Sequence, residues 1–341
     1  MKKAVRLADI AKQLGVSNVT VSKALSGQKG VSEQMRQKIV ALADELGYKQ
    51  PSALRKQSGG TGYNIGVIIN AQYFDKYDSF YLQMYQRVNL EAASNGCLTL
   101  LETISLQMVR DKELPVMLKE NKVQGVIVIG RLNPDYLDFL EKNVTVPIVF
   151  MDFCDYTRDI DAVISDSYYG AYSLTRYLVQ QGHRRIAYVG TVLATGSITD
   201  RYLGYVKCLM EQGIEVRKDW IIDDRKLVDG VIDEVNYIKL PDDMPTAFLC
   251  NCDVAACKLI KKLESAGYNV PQDISVVGYD NYLYPGLCNV ELTTYEVDIR
   301  EMSRQAVSSL LKNIKGEKNR TKINIVEGRL VVRDSVRDSS V

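Results

Sequence analysis

Apolar residues in the first fifty positions recur at helical spacing, in three short runs. In order, the runs comprise Leu7, Ile10, Ala11 and Leu14, then Val21, Ala24 and Leu25, then Met35, Ile39, Leu42, Ala43 and Leu46. Apolar residues three and four apart share one face of an amphipathic helix. Gly15 ends the first helix, and Ser17 and Ser32 are good N-caps for the next two. The pattern predicts a helix-turn-helix unit with a supporting third helix.

From residue 65 the pattern changes to short apolar strands that alternate with amphipathic helices. The predicted strands are 65–69, 98–101, 125–129, 148–151, 186–189, 247–250 and 274–277. The predicted helices are about 80–95, 133–143, 167–181, 201–212, 253–266 and 298–315. Buried strands joined by helices indicate parallel sheets covered on both faces. One set ends near residue 160 and a second begins there, which predicts two similar α/β lobes with ligands at the carboxyl ends of the strands.

Charge is distributed unevenly on the two sides of a polar, Gly-rich stretch at 50–62, which is typical of a linker. Residues 1–60 contain 11 Lys and Arg against four acidic residues, whereas the rest of the chain contains 32 against 38. A basic segment on an acidic body favours contact of that segment with a polyanion. A solvated basic terminus is the alternative reading of charge alone.

The residue types that carry most enzyme chemistry are sparse or unpaired. Seven cysteines, without paired CxxC units, argue against a disulfide framework or a zinc site and are expected to act as small hydrophobes. The single histidine, His183, follows Gly182 and is expected to be a capping or surface residue. Phosphate-loop, GxGxxG and GxSxG motifs are absent, which disfavours an enzyme, and no cofactor or metal is expected. No apolar run approaches the roughly 20 residues of a membrane helix, and no signal region is evident, so we expect a cytoplasmic protein with no membrane partner.

The run LADIAKQLGVSNVTVSKAL at 7–25 resembles the headpiece of the LacI/GalR family of transcription regulators. It follows the long pattern D-[IV]-A-x-x-[AL]-G-V-S-x-x-T-V-S-[RK]-x-L. Landmarks of the same family continue along the chain, at 181–190, 200–205, 271–280 and 292–294. The resemblance implies a helix-turn-helix headpiece, a hinge, and a two-lobed α/β core similar to periplasmic binding proteins, with parallel sheets.

The same resemblance implies three parts of the chain. The headpiece is expected over 1–49, the hinge over 50–61 and the effector-binding core over 62–341. Within the core, the first lobe is expected to comprise 62–161 with 292–322, and the second lobe 162–291 with 323–338. The chain then crosses between lobes three times, near 161, 291 and 323.

In the family, the variable residues after V-S and the basic residue after T-V-S read bases, and here these are Asn18, Val19 and Lys23. Asn can pair with adenine, Lys with guanine, and Val19 can contact a thymine methyl group. Ser17, Thr20 and Ser22 are expected to hold phosphates or to act as caps.

A hinge leucine wedges into the minor groove in this family. Ungapped counting puts Gln57 at that position, and Leu54 comes three residues early. Leu54 is therefore either the lever in a shifted register, or the lever is missing.

Candidate effector contacts follow the predicted strand ends, where polar ligands need converging hydrogen-bonding groups and an apolar platform. Asp78, Phe80 and Tyr81 come after the first strand, and Asp166 opens the second lobe. Arg201 matches the family arginine that holds effector hydroxyls or carboxylates. The remaining candidates are Cys252, Asp253 and Asp280. For Arg201 and Asp280 the alternative is an ion pair or cap, and for the two aromatic residues it is core packing.

Two departures from the family affect the expected ligand. Cys252 stands where many members carry an effector-binding Asn, and Asn251 is a candidate to compensate. An aromatic platform near 225 is missing, since Asp223-Asp224-Arg225-Lys226 stands there. Arg225 or Lys226 could favour an anionic effector such as a phosphorylated sugar.

The resemblance implies a transcription regulator that binds palindromic double-stranded operator DNA as a homodimer. We expect it to be a repressor of sugar-metabolism genes. A small sugar-like effector is expected to shift the lobes between two arrangements and so to alter the spacing of the headpieces. The helix around 81–93 is expected at the dimer contact. One alternative keeps the DNA role but makes a protein the controller, as in the catabolite-control branch of the family; an enzyme is the other.

Overall fold

The computed structural model describes residues 7–25, 30–46, 62–73, 80–225, 238–282, 288–317 and 321–339. The chain forms two compact units, one comprising 1–63 with 95–97 and the other 64–94 with 98–341. No helix among the described residues is long and apolar enough to span a membrane.

The amino-terminal unit contains the helices α1 (Leu7–Leu14), α2 (Asn18–Leu25) and α3 (Glu33–Glu45). Its core is the predicted one, with apolar side chains of all three helices packed together, namely Ile10, Ala11, Val21, Ala24, Ile39 and Ala43. Gly15 has φ +62°, the left-handed conformation that suits glycine, and the N–H of Val16 donates to the carbonyl of Ala11 at 3.0 Å. The turn between α1 and α2 is therefore fixed by local chemistry.

The larger unit contains two parallel sheets. The first has the strand order β11-β5-β4-β3-β1-β2 and the second β7-β6-β8-β9. The first sheet comprises β1 (Asn64–Asn70), β2 (Leu98–Ile104), β3 (Gly125–Ile129), β4 (Ile148–Met151), β5 (Asp161–Ser165) and β11 (Ile323–Val326). The second comprises β6 (Ile186–Val189), β7 (Ile221–Ile222), β8 (Ala247–Cys250) and β9 (Ser275–Val277). A short antiparallel pair, β10 (Thr294–Glu296) with β12 (Arg329–Val331), stands apart from both.

Helices separate the strands, as the alternating pattern predicts. The first lobe carries α4 (Phe80–Ser94), α5 (Leu106–Asp111), α6 (Val116–Lys119), α7 (Pro134–Asn143) and α11 (Ile299–Ile314). The second carries α8 (Ser167–Gln180), α9 (Gly196–Glu211) and α10 (Asp253–Ser265). The parallel two-lobed α/β class is confirmed.

The predicted lobe boundaries at 161 and 323 are wrong by a few residues. The strand β5 pairs with β4, and β11 pairs with β5, so both strands extend the first sheet. The crossings therefore follow Ser165 and Val326. These strands escaped prediction because Asp161 and Asn324 interrupt their apolar runs.

Two further expectations change. Helix α9 begins at Gly196, not at 201, because the Thr195 hydroxyl caps it by accepting from the N–H of Ile198 at 3.2 Å.

His183 is buried and not a surface residue; its Nδ1 lies 3.0 Å from Thr246 Oγ1, and burial lowers its pKa to about 4. None of the seven cysteines, all of which the structure describes, forms a disulfide, and five of them are buried, in keeping with a role as small hydrophobes.

Candidate nucleic-acid interface and candidate ligand cleft

The amino-terminal end of α2 is held by the two residues that the sequence marks as caps. Ser17 Oγ accepts from the N–H of Thr20 at 3.0 Å and lies 2.9 Å from Thr20 Oγ1. The carbonyl of Ser17 accepts from the N–H of Val21 at 3.1 Å. Of the two roles predicted for Ser17 and Thr20, these bonds are those of a cap.

The predicted base-reading positions Asn18, Val19 and Lys23 lie on α2, as does Ser22. Lys23 is exposed, whereas Val21 and Ala24 on the other side of the helix are buried. The helix thus packs Val21 and Ala24 into the core and leaves Lys23 outward. Leu54 of the hinge lies outside the described residues, as does Asp78 of the predicted effector set.

The carboxyl end of α2 is closed by a residue that sequence reasoning missed. Arg36, on α3, donates through Nη1 to the carbonyl of Ala24 at 2.8 Å and to that of Lys23 at 3.3 Å. A cation at this end of a helix compensates the unpaired carbonyls and the helix dipole. The contact joins residues twelve apart in sequence through the packing of α2 on α3, so no local spacing signals it.

Within the larger unit, loops after the strands of both sheets bring aromatic side chains together. The rings of Tyr73 and Tyr81 are stacked with centroids 4.4 Å apart, and Phe80 lies 5.8 Å from Tyr81 in an edge-on arrangement. Phe80 also contacts Tyr282, which follows β9 of the second sheet, at 5.8 Å. The predicted pair Phe80 and Tyr81 therefore belongs to an aromatic group that spans the two lobes, here called the cleft aromatics (Tyr73, Phe80, Tyr81 and Tyr282).

Arg201 and Asp280, both predicted, lie together. Arg201 Nη2 is 3.4 Å from Asp280 Oδ1, Nη1 donates to the carbonyl of Asn251, and the guanidinium carbon lies 3.7 Å from the ring centroid of Tyr279. Arg201 is only 6% exposed, yet its Nε has no hydrogen-bond partner among the described residues. A buried donor without a partner is costly, and a ligand oxygen would satisfy it.

Asp152 joins this cluster from the end of β4, although sequence reasoning did not single it out. Burial raises the pKa of Asp152 to about 6, with Arg201 and a hydrogen bond to the Tyr81 side chain acting in the opposite direction. Its backbone has φ +67°, which is strained for a residue with a side chain. The available signal was its position, since it follows the carboxyl end of an apolar strand.

A second buried network follows β7. Arg225 binds the carboxylate of Asp224 through Nε, 3.1 Å from both oxygens, and through Nη2 at 2.7 Å. Asn251 Nδ2 donates to Asp224 Oδ2 at 2.8 Å, and Arg225 Nη2 donates to Asn251 Oδ1 at 3.2 Å. Burial would raise the pKa of Asp224, but Arg225 and the hydrogen bonds outweigh it and hold that pKa below the usual value.

The other predicted effector residues have structural partners. Asp253 accepts from Thr294 Oγ1 at 2.6 Å and from the N–H of Tyr282 at 2.8 Å, so both oxygens are engaged. Gly278 leaves room for that carboxylate, since a Cβ there would lie 2.1 Å from Asp253 Oδ1. Asp166 caps α8 by accepting from the N–H of Tyr169 at 3.0 Å. Cys252, at the N-cap of α10, is nearly buried, and burial raises its thiol pKa to about 12.

Among the described residues, the two lobes also meet at a polar contact. Arg131, which follows β3, donates through Nη1 to the carbonyl of Ala194, in the loop after β6. The hydroxyl of Tyr73 lies 3.4 Å from the carbonyl of Arg131. This contact and the cleft aromatics define a cleft between the lobes at the carboxyl ends of the strands.

Comparison with known families agrees with this division. Residues 6–51 match the model of bacterial regulatory proteins of the lacI family, and residues 175–336 match the model of a periplasmic binding protein-like domain. The chain therefore combines a LacI-family helix-turn-helix domain with a periplasmic binding protein-like domain. It is a DNA-binding transcription regulator, and its relatives are regulators and not enzymes.

Curated relatives of this chain span nearly its full length. It is 28% identical over 333 residues to the HTH-type transcriptional repressor PurR of Photobacterium profundum, covering 97% of this chain and 98% of the relative. The Vibrio vulnificus protein of the same name is 27% identical over 332 residues.

Solved structures share the fold. A transcriptional regulator CelR–cellobiose complex matches with a TM-score of 0.68 and 22% identity, covering 97% of this chain and 99% of that one. A lac repressor dimer bound to operator and an anti-inducer matches with a TM-score of 0.64 and 24% identity, covering 98% and 100%. A LacI-family regulator of Enterococcus faecium with bound ribose matches with a TM-score of 0.64 and 22% identity over 81% of this chain.

Proposed function

We propose that this regulator represses its genes by binding a palindromic operator as a homodimer, and that a neutral, sugar-like ligand in the cleft between the lobes changes its operator affinity. The observation that carries the ligand half of this proposal is the buried Arg201 Nε without a partner, because such a donor is poised for a ligand oxygen.

The chemistry around the cleft suits a polyol. Carboxylates and amides accept from hydroxyl groups, and aromatic faces cover the C–H patches of a sugar ring. Asp152, Asp280 and the cleft aromatics supply both kinds of surface. Among the described residues around Arg201 and Arg225, the acidic side chains outnumber the two cations, which disfavours an anionic ligand; they are Asp152, Asp224 and Asp280. Two structural relatives hold cellobiose and ribose in their solved structures, which supports a sugar here.

The DNA half of the proposal depends on α2. Lys23 is exposed on that helix, where it can reach guanine in the major groove, while Asn18 and Val19 occupy the neighbouring positions. Ser17, Thr20 and Ser22 would then hold the helix end and the phosphates, and Leu54 of the hinge remains a candidate lever in the minor groove.

Dimerisation is supported by exposed apolar side chains near one edge of the first sheet. The strand β2 is an edge strand, and Leu98 on it is 71% exposed. Leu90 on α4, Leu106 on α5 and Val116 on α6 are 59%, 63% and 52% exposed. Clustered apolar side chains of this size are typical of protein interfaces.

The DNA half is tested by selecting duplexes from a random library with the purified full chain and sequencing them. We expect an enriched sequence with two inverted half-sites, whose spacing reflects the symmetry of the dimer. Enrichment of no sequence over random duplex at physiological salt would overturn the proposal. Sedimentation of the full chain at micromolar concentration checks the dimer, since a monomer there contradicts it.

The ligand half is tested by isothermal titration with neutral mono- and disaccharides, using Arg201→Met as the binding-deficient variant. We expect saturable binding of at least one neutral sugar to the wild-type protein and none to the variant. An operator affinity that responds only to an added protein, and to no sugar, would instead favour a protein controller.

A further inference from the structure

Arg225 is the residue of the cleft that would be expected to attract an anion. Its positive charge opposes the burial-driven rise in the pKa of Tyr81 in the first lobe and of Cys252 in the second. Its side chain is 11% exposed, so little solvent screens that charge. An arginine reaching groups of both lobes could in principle bind a phosphate or carboxylate in a fixed two-donor geometry.

The two-donor geometry of Arg225 is used by the neighbouring residue, Asp224. Asp224 receives three contacts of 3.1 Å or less from the Arg225 guanidinium, and its side chain is fully buried. Arg225 also binds Asn251, because its Nη2 donates to Asn251 Oδ1 at 3.2 Å. Two of the three guanidinium nitrogens of Arg225, Nε and Nη2, are therefore already engaged, and the positive charge faces a carboxylate.

The Asp224 carboxylate is also fixed on its other side. Its Oδ1 accepts from the N–H of Thr191 at 2.9 Å, and its Oδ2 accepts from Asn251 Nδ2 at 2.8 Å. The carbonyl of Arg225 accepts from Thr191 Oγ1 at 2.9 Å, which ties the loop after β7 to the loop after β6. The carboxylate cannot swing away from Arg225 without breaking bonds from two other residues, so an incoming anion cannot readily displace it.

We propose that Asp224 is a specificity-determining residue that excludes anionic ligands from the cleft by neutralising Arg225. A phosphate that entered would lose its hydration and meet a fixed carboxylate in place of an available cation. Arg201 does not offer the two-donor fork of a free guanidinium, because Asp280 and the carbonyl of Asn251 engage its two terminal nitrogens. Its Nε remains for a single ligand oxygen such as that of a hydroxyl group. The inference rests on the proposed function in treating the cleft as the ligand site, and it restricts the ligand class to neutral polyols. It runs against the sequence-based expectation that Arg225 or Lys226 favours an anionic effector; Lys226 lies outside the described residues.

The test uses inorganic phosphate as the probe and thermal unfolding of the full chain as the readout, with chloride at matched ionic strength as the reference. Wild-type protein is expected to show no phosphate-specific rise in Tm up to 20 mM. Asp224→Asn removes the competing charge and frees Arg225, so its Tm is expected to rise saturably with phosphate, with a Kd about ten-fold or more below any wild-type value.

Two matched variants keep the result specific. Asp224→Asn combined with Arg225→Gln removes both charges and should abolish the phosphate response. Asp253→Asn removes a buried carboxylate of the same lobe that has no arginine bound to it and should not create a response. A phosphate response in the wild-type protein equal to that of Asp224→Asn overturns the proposal, as does a folded Asp224→Asn protein that phosphate does not stabilise.

The wild-type titration decides the matter even if Asp224→Asn does not fold. Calorimetry of the wild-type chain with a neutral sugar and with its phosphate ester should show binding of the neutral sugar alone. Tighter binding of the phosphate ester overturns the proposal. None of these readouts involves DNA, so a failure to bind operator, which would refute the proposed function, is seen separately.

Discussion

The headpiece and the cleft use charge in opposite ways. In the headpiece, Lys23 is exposed on a helix whose other side packs a small apolar core. In the cleft, Arg201 and Arg225 are nearly buried, and each faces a carboxylate of the same lobe. An exposed cation is solvated by water and can meet a polyanion, whereas a buried cation needs its counter-charge for the protein to fold. Mutations in the cleft should therefore affect folding and ligand response together, while mutations on α2 should affect DNA binding alone.

The largest effect is expected from Arg201→Met. Loss of the guanidinium leaves Asp280 and Asp152 buried without their cation, which should lower the free energy of unfolding by about 3–5 kcal/mol. Urea unfolding at pH 7 measures the loss. Arg304→Ala, which removes an exposed ion pair with Glu301 on α11, is the control and should change the stability little. An equal loss of unfolding free energy in the two variants would contradict the distinction between buried and exposed charges.

The next effect, on the headpiece side of the comparison, is expected from Lys23→Ala. Its loss should lower affinity for the selected operator by about 1–3 kcal/mol and relax the preference at one base pair, with no change in thermal stability. Fluorescence anisotropy with operator and random duplexes measures both. Lys38→Ala, an exposed lysine on α3, removes the same charge and should leave the base preference intact. A loss of stability in Lys23→Ala would contradict the separation of folding from DNA binding.

A smaller effect concerns pH and the buried Asp253. Burial raises the pKa of Asp253 to about 7, well above its unfolded value, so the folded state retains a proton that the unfolded state has released. The resulting stability is present in full at acidic pH and is lost as pH rises through 7, by about 1 kcal/mol between pH 6 and 8. Urea unfolding across this range measures the slope. Asp253→Asn should reduce the slope without abolishing it, because burial also raises the pKa of Asp152 to about 6 and the pKa of Asp280 to about 8. An unchanged slope would show that Asp253 does not titrate in this range.

The smallest effect is expected from Arg36→Ala, which opens the carboxyl end of α2. The lost hydrogen bonds to the carbonyls of Ala24 and Lys23 should cost about 1 kcal/mol of headpiece stability. Hydrogen exchange of the α2 amides should quicken, and operator affinity should fall with it. Arg36→Lys keeps the charge but cannot donate to two carbonyls in the same geometry. It should therefore recover part of the protection of the α2 amides and part of the operator affinity. Unchanged exchange in Arg36→Ala would remove Arg36 from the positioning of α2.

The two regions also differ in how far the sequence predicts them. The headpiece helices and their amino-terminal caps follow from residues within four positions of one another, such as Ser17 and Thr20, whereas the Arg36 contact that closes α2 does not. The alternation of strands and helices in the core was equally readable, but β5 and the two-residue β7 were not, because their strand character comes from pairing with neighbours.

Residues of the site were predictable from the sequence where a single residue matched a recognisable pattern. They were not predictable where side chains from several loops bind one another. Arg201 and Asp280 were each singled out by the resemblance, and Phe80 and Tyr81 by their place after a strand; the structure brings the members of each pair together, and their roles as effector contacts stay predictions. The network of Asp224, Arg225 and Asn251 joins loops after β7 and β8, and its bonds depend on strand order. His183 was misplaced for the same reason, since its partner Thr246 lies 63 residues away.

The most direct test of the account measures the operator affinity of the full chain with and without a neutral sugar that calorimetry shows to bind. Fluorescence anisotropy at physiological salt should give a change of about five-fold or more in operator Kd, which is the size of coupling typical of two linked sites. Arg201→Met, if folded, should bind operator with no response to the sugar. Saturation of the cleft by a sugar with no change in operator Kd would contradict the coupling of cleft and headpiece.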